Sequence, residues 1–245
     1  MNIALVGYGN LGKAIEKKAL AKGHKIKLIL DSKNNSKGEG FIKSNFKGID
    51  VCFEISTPQT ALKNILALLK LKQKIVVGTT GWLEDLEQVK EEVEKNETAL
   101  LYSSNFSIGV NLFFKIAEEA AKIFDEKGYD CAIHEFHHKQ KKDSPSGTAL
   151  TLAEKILENL QNKNYLLTNS SEGKIDTEAL HVTSTRLGSV PGTHSLFFDS
   201  EVDSIEIRHT ARNREGFANG AILCAEWLKD KKGLFSMEDF LINNV

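Results

Sequence analysis

A glycine-rich hexapeptide near the start of the chain limits the possible folds more than any other feature. Residues 7–12 read Gly-Tyr-Gly-Asn-Leu-Gly, which is a G-x-G-x-x-G pattern. An apolar strand pattern over 2–6 precedes it, and a helical pattern over 13–22 follows it. Alone, such a match is weak, but a strand before it and a helix after it are typical of a dinucleotide-binding βαβ unit. The context therefore predicts a Rossmann-like parallel sheet.

Each glycine of this loop has its own expected role. Gly7 makes the tight turn, Gly9 lets the backbone approach a pyrophosphate, and Gly12 allows the helix to pack closely on the sheet. The phosphates then lie at the helix N-terminus, where free N–H groups bind anions. The cofactor-binding residues expected in the loop are Gly7, Tyr8, Gly9, Asn10, Leu11 and Gly12.

A carboxylate after the second strand pattern bears on which dinucleotide binds. Asp31 directly follows the pattern over 25–30. This spacing suits a side chain that accepts hydrogen bonds from the ribose hydroxyls of adenosine, which favours NADH. A residue of this type also occurs in ordinary surface turns. Both NADH and NADPH therefore remain candidate cofactors.

Two more loops follow strand patterns of the first half. Gly78-Thr79-Thr80-Gly81 comes after the pattern over 74–77, and the loop 103–107 comes after the pattern over 99–102. Because ligands of open α/β sheets bind beyond the carboxyl ends of the strands, both loops are expected near the nicotinamide. Either loop alone is also compatible with a plain turn. The cofactor-binding residues expected here are Gly78, Thr79, Thr80, Ser103, Ser104, Asn105 and Phe106.

Helix signals between these strands complete the alternation. After a strand pattern over 50–55, Thr57-Pro58 predicts a helix reaching Leu71, with Thr57 as its N-cap and Pro58 at its first position. A second helix is predicted over 82–95, where acidic residues at the start and Lys at the end suit the helix dipole. Strands that alternate with helices in this way predict a parallel sheet.

The pattern changes after residue 105, where a smaller α+β domain with a mixed or antiparallel sheet is predicted. Helix patterns cover 110–124 and 148–160, and strand patterns cover 130–138, 182–186, 194–199 and 204–210. Residues 161–174 are interpreted as a polar connection, and 217–228 and 237–242 as closing helices that pack on the first domain. The expected domains are 1–106 with 214–245 for the dinucleotide, and 107–213 for substrate and oligomerisation.

Composition excludes several other classes of protein. The 245 residues carry a net charge of −1, so no general electrostatic argument favours a nucleic acid partner. Lys interrupts every apolar run before it reaches the roughly 18 residues of a membrane helix, so no membrane partner is expected. The start of the chain enters a strand pattern without the basic region of a secretory signal, which makes the cytoplasm the expected location. Three widely separated cysteines favour reduced thiols over a disulfide framework.

The densest chemistry lies in residues 134–148, His-Glu-Phe-His-His-Lys-Gln-Lys-Lys-Asp-Ser-Pro-Ser-Gly-Thr. On a strand, alternation places His134, Phe136 and His138 on one face and Glu135 and His137 on the other. A basic loop then leads into a helix start near 146–148, whose N–H groups are available to an anion. A His pair, a basic loop and a helix N-terminus together suit an anionic substrate that takes up a proton.

Two other interpretations of this segment exist. The His and Glu residues could bind a metal, but neither an H-E-x-x-H pattern nor a Cys partner supports this, so no metal is expected. A solvated charge run accounts for Lys139 and Lys142 but not for His137 and His138 beside Pro-Ser-Gly-Thr.

Arginine use is uneven in this chain. All four Arg residues lie between 186 and 214, and every other basic side chain is Lys. The planar guanidinium binds carboxylates and phosphates better than an ammonium does, so the cluster is a candidate anion site. Ordinary surface ion pairs explain it equally well.

Residues 135–149 resemble the E-x-H-H-x-x-K-x-D-x-P-S-G-T-A signature of the 4-hydroxy-tetrahydrodipicolinate reductase family, also called dihydrodipicolinate reductases. Further segments that resemble this family are 78–81, 105–111, 186–188, 192–194 and 217–221. Together they cover the chain nearly end to end. The departures are mild: many relatives have one more residue in the glycine loop, and Ser144 stands where Ala is common.

The resemblance implies an NAD(P)H-dependent reduction in the diaminopimelate and lysine pathway. Hydride is added to ring carbon 4 of dihydrodipicolinate, which forms from its hydroxy precursor by loss of water, and tetrahydrodipicolinate is the product. His137 then resembles the general acid and Lys141 its partner at the substrate, a small dianionic heterocycle. The implied substrate contacts are His138, Ser146, Gly147, Thr148 and Arg214. The family further implies a homotetramer, joined here through the strands after Val182.

Two alternatives from other classes remain. A nucleotide-sensing protein could use the same first domain without catalysis, but it gives no reason for the His and Lys loop. A semialdehyde dehydrogenase needs a Cys nucleophile, and none of the three cysteines lies in a motif for one. An assay of NADH oxidation with dihydrodipicolinate separates these possibilities.

Overall fold

The computed structural model describes residues 1–169, 171–213 and 215–244. The chain divides into two compact units, 1–108 with 215–245 and 109–214. The strands in chain order are β1 (Asn2–Val6), β2 (Lys25–Leu30), β3 (Val51–Glu54), β4 (Ile75–Val77), β5 (Ala99–Tyr102), β6 (Asp130–His137), β7 (Tyr165–Leu167), β8 (Ala179–Arg186), β9 (Thr193–Asp199), β10 (Ser204–Thr210) and β11 (Gly233–Ser236). The α-helices are α1 (Asn10–Ala21), α2 (Pro58–Lys70), α3 (Leu86–Lys95), α4 (Ile108–Phe124), α5 (Gly147–Leu157), α6 (Glu215–Leu228) and α7 (Met237–Ile242).

The first unit is built on a six-stranded sheet in the order β11-β5-β4-β3-β1-β2. Every neighbouring pair of strands is parallel. Strands β3 and β4 are buried at every residue, as expected of a parallel sheet that is covered on both faces. The predicted Rossmann-like sheet is confirmed. Its order places the ends of β1, β2 and β3 side by side, where the glycine loop leaves β1.

The second unit contains a five-stranded mixed sheet in the order β10-β9-β6-β8-β7. Strand β6 is parallel to β8 and antiparallel to β9, so the predicted α+β unit with a mixed sheet is confirmed. Along β6 the buried residues alternate, and they are Cys131, Ile133, Glu135 and His137. The first two belong to the apolar core beneath α4 and α5. The buried face of β6 therefore changes from apolar to ionisable at its carboxyl end.

Two strands were not predicted. Tyr165–Leu167 lies in the stretch interpreted as a polar connection, and it pairs in parallel with β8. Gly233–Ser236 lies between the two closing helices and adds a sixth strand to the first sheet by pairing with β5. Both segments are too short for a period-two pattern, and a partner strand that is distant in sequence stabilises each of them.

The helix boundaries also differ from the prediction in places. Helix α1 begins at Asn10, three residues before the predicted start. The predicted helix over 82–95 is a 3₁₀ turn, Leu83–Asp85, followed by α3. Thr57 is at the N-cap position of α2 as predicted, but its hydroxyl lies 3.1 Å from that of Thr60 and does not cap the helix. In the part of the chain that the structure describes, no helix is long and apolar enough to cross a membrane.

Candidate active site

A cavity of about 690 Å³ lies at the carboxyl ends of β1, β2 and β3 in the first unit. Four of the residues predicted to bind cofactor line it, namely Gly7, Tyr8, Gly9 and Asp31. Asn10, Leu11 and Gly12 form the adjoining first turn of α1. The lining residues that the sequence did not predict include Lys13, Lys33, Asn35, Ser36, Ser56, Thr57, Thr60 and Asn64.

The glycine loop has the backbone geometry that a bound pyrophosphate requires. Gly7 has a φ of +99°, and a Cβ there would lie 2.3 Å from the carbonyl oxygen of Ile55. A Cβ on Gly12 would lie 2.9 Å from the carbonyl oxygen of Gly7, so the helix and the loop approach as closely as predicted. A Cβ on Gly9 would meet no described atom within 4 Å, which leaves that side of the loop open to a ligand. Gly9 is also the N-cap of α1 and provides no side chain to cap its N–H groups. A dinucleotide phosphate therefore fits this cradle.

Asp31 lines the cavity and also organises the turn that follows β2. Its Oδ1 atom accepts hydrogen bonds from the backbone N–H groups of Lys33 at 2.8 Å and Asn34 at 3.3 Å. Among the described residues, none donates to Oδ2. One carboxylate oxygen thus fixes the turn, while the other is available to ribose hydroxyls. Lys33 lines the same cavity and provides a cation there.

The two other predicted loops lie beside this cavity. The N–H of Gly78 donates to the carbonyl of Glu54 at 2.8 Å, and that of Ser103 donates to the carbonyl of Val77 at 3.1 Å. Both loops are therefore at the carboxyl edge of the same sheet. Phe106 is only 3% exposed, and a Cβ on Gly78 would lie 3.2 Å from its ring. Within the described chain, 78–80 and 103–106 are not part of the cavity wall.

A buried carboxylate behind the cavity was not predicted from the sequence. Glu54 is fully buried at the end of β3. The hydroxyl of Ser56 and the side-chain amide of Asn64 both donate to its Oε1 atom, the amide at 3.1 Å. Both donors line the cavity. The signal in the sequence was a Glu inside an otherwise apolar strand, since a buried carboxylate needs hydrogen-bond partners.

In the second unit, Glu135 is the centre of a buried polar cluster. Its carboxylate is fully buried and receives donors from two other elements of the unit, the start of α5 and β8. They are the backbone N–H and the hydroxyl of Ser146, the hydroxyl of Ser184 at 2.9 Å, and Nη2 of Arg186 at 3.0 Å. Nδ1 of His137 lies 3.1 Å and Nε2 of His194 lies 3.4 Å from its Oε2 atom. Burial alone would raise the pKa of Glu135, but the hydrogen bonds outweigh burial and hold that pKa well below its usual range.

This cluster brings together residues that are far apart in the sequence. Strand pairing sets Glu135 opposite Ser184 on one side and His194 on the other, and it sets His137 opposite Arg186. Alternation along the strand predicts that Glu135 and His137 share one face, and they do. Arg186 and His194 were not predicted at the site, because the pairing partners of β6 cannot be read from residue spacing.

The same three residues could in principle hold a metal ion. Glu135, His137 and His194 offer ligand atoms that all lie within 4.8 Å of one another. The guanidinium of Arg186, however, already neutralises the carboxylate. A divalent cation in the cluster would lie beside that positive charge. The geometry therefore favours hydrogen bonding over metal coordination at these three residues. The absence of a metal remains a prediction.

Helix α5 begins beside this cluster. Ser146 is its N-cap, and the Ser146 hydroxyl accepts from the N–H of Ala149 at 3.1 Å. This hydroxyl is buried and also donates to Glu135, so it is used within the chain. Gly147 and Thr148 are the first two residues of the helix, where backbone N–H groups have no acceptor inside the helix. The backbone N–H of Gly147 interacts with the carboxylate of Asp143, so this helix start already faces one anionic group. Binding of a substrate carboxylate there remains a prediction.

Lys141 lies in the loop that joins β6 to α5. Its ammonium donates to both carboxylate oxygens of Asp143 at 2.8 Å. This ion pair lowers the pKa of Asp143. The backbone carbonyl of Asp143 in turn accepts from Arg186 at 2.6 Å. The loop is therefore tied to the Glu135 cluster, with Lys141 held at a defined place.

A smaller cavity of about 310 Å³ is lined in part by the same loop. Its lining includes the predicted substrate contact His138, together with Gln140 and Arg212. Arg212 provides a cation there. It is one of the four Arg residues between 186 and 214 that form the candidate anion site. The predicted contact Arg214 lies outside the described residues.

The first unit offers a pyrophosphate cradle, and the second offers a buried acid and imidazole cluster beside a helix N-terminus. These features define a nicotinamide-dependent oxidoreductase with separate cofactor and substrate units. The chain belongs to the dihydrodipicolinate reductase family. Residues 1–106 match the family's N-terminal part, and residues 109–241 match its C-terminal part.

Similar proteins span nearly the whole chain. The 4-hydroxy-tetrahydrodipicolinate reductase of Christiangramia forsetii is 44% identical over 243 residues, which is 98% of each chain. The protein of the same name from Archaeoglobus fulgidus is 37% identical over 98% of this chain and 100% of its own. A dipicolinate-bound dihydrodipicolinate reductase from Paenisporosarcina sp. TG-14 has the same fold, with a TM-score of 0.77 and 24% identity over 98% of this chain and 99% of that chain.

Proposed function

We propose that this chain reduces dihydrodipicolinate to tetrahydrodipicolinate, using NADH or NADPH, in diaminopimelate and lysine biosynthesis. Dihydrodipicolinate forms from 4-hydroxy-tetrahydrodipicolinate by loss of water. The observation that carries the proposal is the presence, in one chain, of the glycine-loop cavity and of the His137 and Glu135 cluster beside the start of α5. Family membership then supplies the substrate, and the dipicolinate-bound relative supports a heterocyclic dianion.

The residues of the two units have different proposed roles. The first unit binds the dinucleotide, with the backbone around Gly9 at the pyrophosphate and Asp31 at the adenosine ribose. Bound NADH or NADPH supplies the hydride that adds to ring carbon 4. The second unit holds the substrate carboxylates through Lys141, His138 and the N-terminus of α5. In this arrangement Ser146 caps that helix, and Gly147 and Thr148 present their N–H groups to the anion.

His137 is the proposed general acid. Addition of hydride to carbon 4 leaves an enamine, which takes a proton at the neighbouring ring carbon. The Nε2–H bond of the His137 imidazolium breaks, a C–H bond forms, and the ring becomes neutral. Glu135 faces Nδ1, so the other nitrogen, Nε2, is the one left to face a substrate. Lys141 is the proposed partner of His137 at the substrate, where a carboxylate competes with Asp143 for its ammonium.

A direct assay tests the function. The purified chain is mixed with NADH and with dihydrodipicolinate generated enzymatically in the same cuvette, and NADH oxidation is followed. We expect oxidation that depends on dihydrodipicolinate and yields tetrahydrodipicolinate. Binding of NADH without turnover would instead indicate a nucleotide-sensing protein.

We expect the enzyme to use NADH at least as well as NADPH. The carboxylate of Asp31 repels a 2′-phosphate, whereas Lys33 in the same cavity attracts one. The measurement is kcat/KM for both cofactors, with Asp31→Asn as a matched variant that should improve the value for NADPH. A wild-type preference for NADPH well above tenfold, about 1.4 kcal/mol, would show that Lys33 and its neighbours outweigh the carboxylate.

We also propose that the chain forms a homotetramer through the second unit. The sheet there ends in β10 on one side and β7 on the other, and the unpaired N–H and C=O groups of the seven-residue edge strand β10 are a site for pairing with another copy. We expect strand β10 and the neighbouring strands after Val182 to be covered in the assembly. Light scattering at assay concentration measures the mass, and a monomer would refute this proposal.

A further inference from the structure

Glu135 has contacts that a purely structural carboxylate does not need. Its side chain is fully buried on the same face of β6 as His137. Burying a carboxylate costs free energy unless donors compensate it, and truncating such a group usually destabilises a protein. The arrangement of its hydrogen-bond donors therefore indicates which role the buried carboxylate of Glu135 has.

The two oxygens of Glu135 face different partners. Oε1 accepts from the N–H of Ser146 at 2.9 Å, the hydroxyl of Ser184 at 2.9 Å and Nη2 of Arg186 at 3.0 Å. These donors come from the start of α5 and from β8, and they anchor the carboxylate. Oε2 accepts from the hydroxyl of Ser146 and also faces the two imidazoles, with Nδ1 of His137 at 3.1 Å and Nε2 of His194 at 3.4 Å. Neither imidazole is near Oε1, whereas Oε2, which Ser146 also holds, is presented to both His137 and His194.

The imidazole of His137 is confined on both sides. Its Nδ1 atom is buried 3.1 Å from Oε2 of Glu135, although among the described residues no acceptor, Glu135 included, is aligned with Nδ1 for a hydrogen bond. On the opposite side, a Cβ on Gly192 would lie 3.0 Å from Nε2, so only a glycine leaves room for the ring in this orientation. The ring of His194 packs edge-on, with the ring centroids 5.2 Å apart. A ring held in this way keeps Nδ1 beside the carboxylate of Glu135.

We propose that Glu135 is the positioning residue of the general acid His137, an inference that rests on the proposed function. Its carboxylate accepts the Nδ1–H of the imidazole, which fixes the ring and keeps the transferable proton on Nε2. Arg186 and Ser184 hold the carboxylate in place, and His194 shares its second oxygen. The partner of the second ring nitrogen commonly sets the tautomer of a catalytic histidine in this way.

A double-mutant cycle separates positioning from a merely structural role. Glu135→Gln keeps the shape of the side chain but presents either an amide donor or a neutral acceptor to Nδ1. We expect kcat with dihydrodipicolinate to fall about 10- to 100-fold, while the KM values for dihydrodipicolinate and NADH change less than about threefold. In a His137→Gln background the same change should lower kcat by less than about threefold, because the group that Glu135 positions is already gone. Equal losses in both backgrounds would overturn the proposal.

Thr183→Val is the matched control for stability. Thr183 is next to Ser184 on β8, but it lies outside the Glu135 cluster, and its hydroxyl contacts Nδ1 of His134 instead. We expect a lowered melting temperature with kcat within about twofold of wild type. A kcat loss in Thr183→Val as large as that in Glu135→Gln would overturn the proposal, since any disturbance of these strands would then have the same effect.

A measurement on the wild-type protein needs neither turnover nor a folded variant. The ¹⁵N chemical shifts of the neutral His137 ring report which nitrogen carries the proton. We expect the Nδ1–H tautomer, and an Nε2–H tautomer would overturn the proposal. If the wild-type chain shows the Nδ1–H tautomer but does not reduce dihydrodipicolinate, the proposed function fails, and the role of Glu135 in that reaction is overturned with it.

Discussion

His137→Gln is expected to lower kcat with dihydrodipicolinate by about 100-fold or more, the usual scale for loss of a general acid. Glutamine keeps a hydrogen-bonding side chain of similar reach but has no proton to give at neutral pH. The affinity for NADH should change little, because the glycine loop lies in the first unit and none of its residues is altered. Steady-state kinetics gives kcat, and a fluorescence titration gives the NADH affinity.

The matched control for this prediction is His134→Gln. His134 is on the same strand but on the opposite face, where its Nδ1 atom contacts the hydroxyl of Thr183. We expect kcat of this variant within a few-fold of wild type. Near-normal kcat in His137→Gln would show that the general-acid assignment is wrong, and His138 or a bound water would become the better candidate.

Lys141→Ala is expected to raise KM for dihydrodipicolinate by about 10- to 100-fold, which corresponds to about 1.4–2.7 kcal/mol of lost binding. The ammonium is held by Asp143 in the loop before α5, where a substrate carboxylate can share it. A lower kcat should accompany the change, because a misplaced ring is no longer aligned with the proton donor. The same direction is expected for Arg214→Ala.

Lys142→Ala provides the control for charge alone. Lys142 is the neighbouring residue and is exposed, so its removal changes the net charge of the loop equally. The KM of Lys142→Ala for dihydrodipicolinate should stay within about twofold of the wild-type value. Equal KM values for wild type and Lys141→Ala would remove Lys141 from the substrate site.

The first unit could be predicted well because its signals are local. Strands β1, β2 and β5 have the predicted boundaries, since each is an apolar run next to a turn or helix start. Strand β11 could not be predicted, because it has four residues and gains its stability by pairing with β5. Its first residue, Gly233, has a φ of +120°, a conformation typical of a loop rather than a strand.

The part of the candidate site that lies within one segment could be predicted from the sequence. The part that several strands form together could not. The alternation in 134–138 correctly placed Glu135 and His137 on one face, and the Ser-Gly-Thr sequence correctly indicated a helix start. The convergence of Arg186 and His194 on Glu135 depends on the register of β8 and β9 against β6. That register is set by the packing of the whole sheet, which local patterns do not contain.

The position at which hydride arrives tests the central claim most directly. The enzyme is supplied with NADH deuterated at the transferring position of the nicotinamide and with dihydrodipicolinate, and the product is analysed by NMR. The account predicts one deuterium at ring carbon 4 of tetrahydrodipicolinate and a solvent-derived hydrogen at the neighbouring carbon. Deuterium at any other carbon, or unlabelled product, would contradict it.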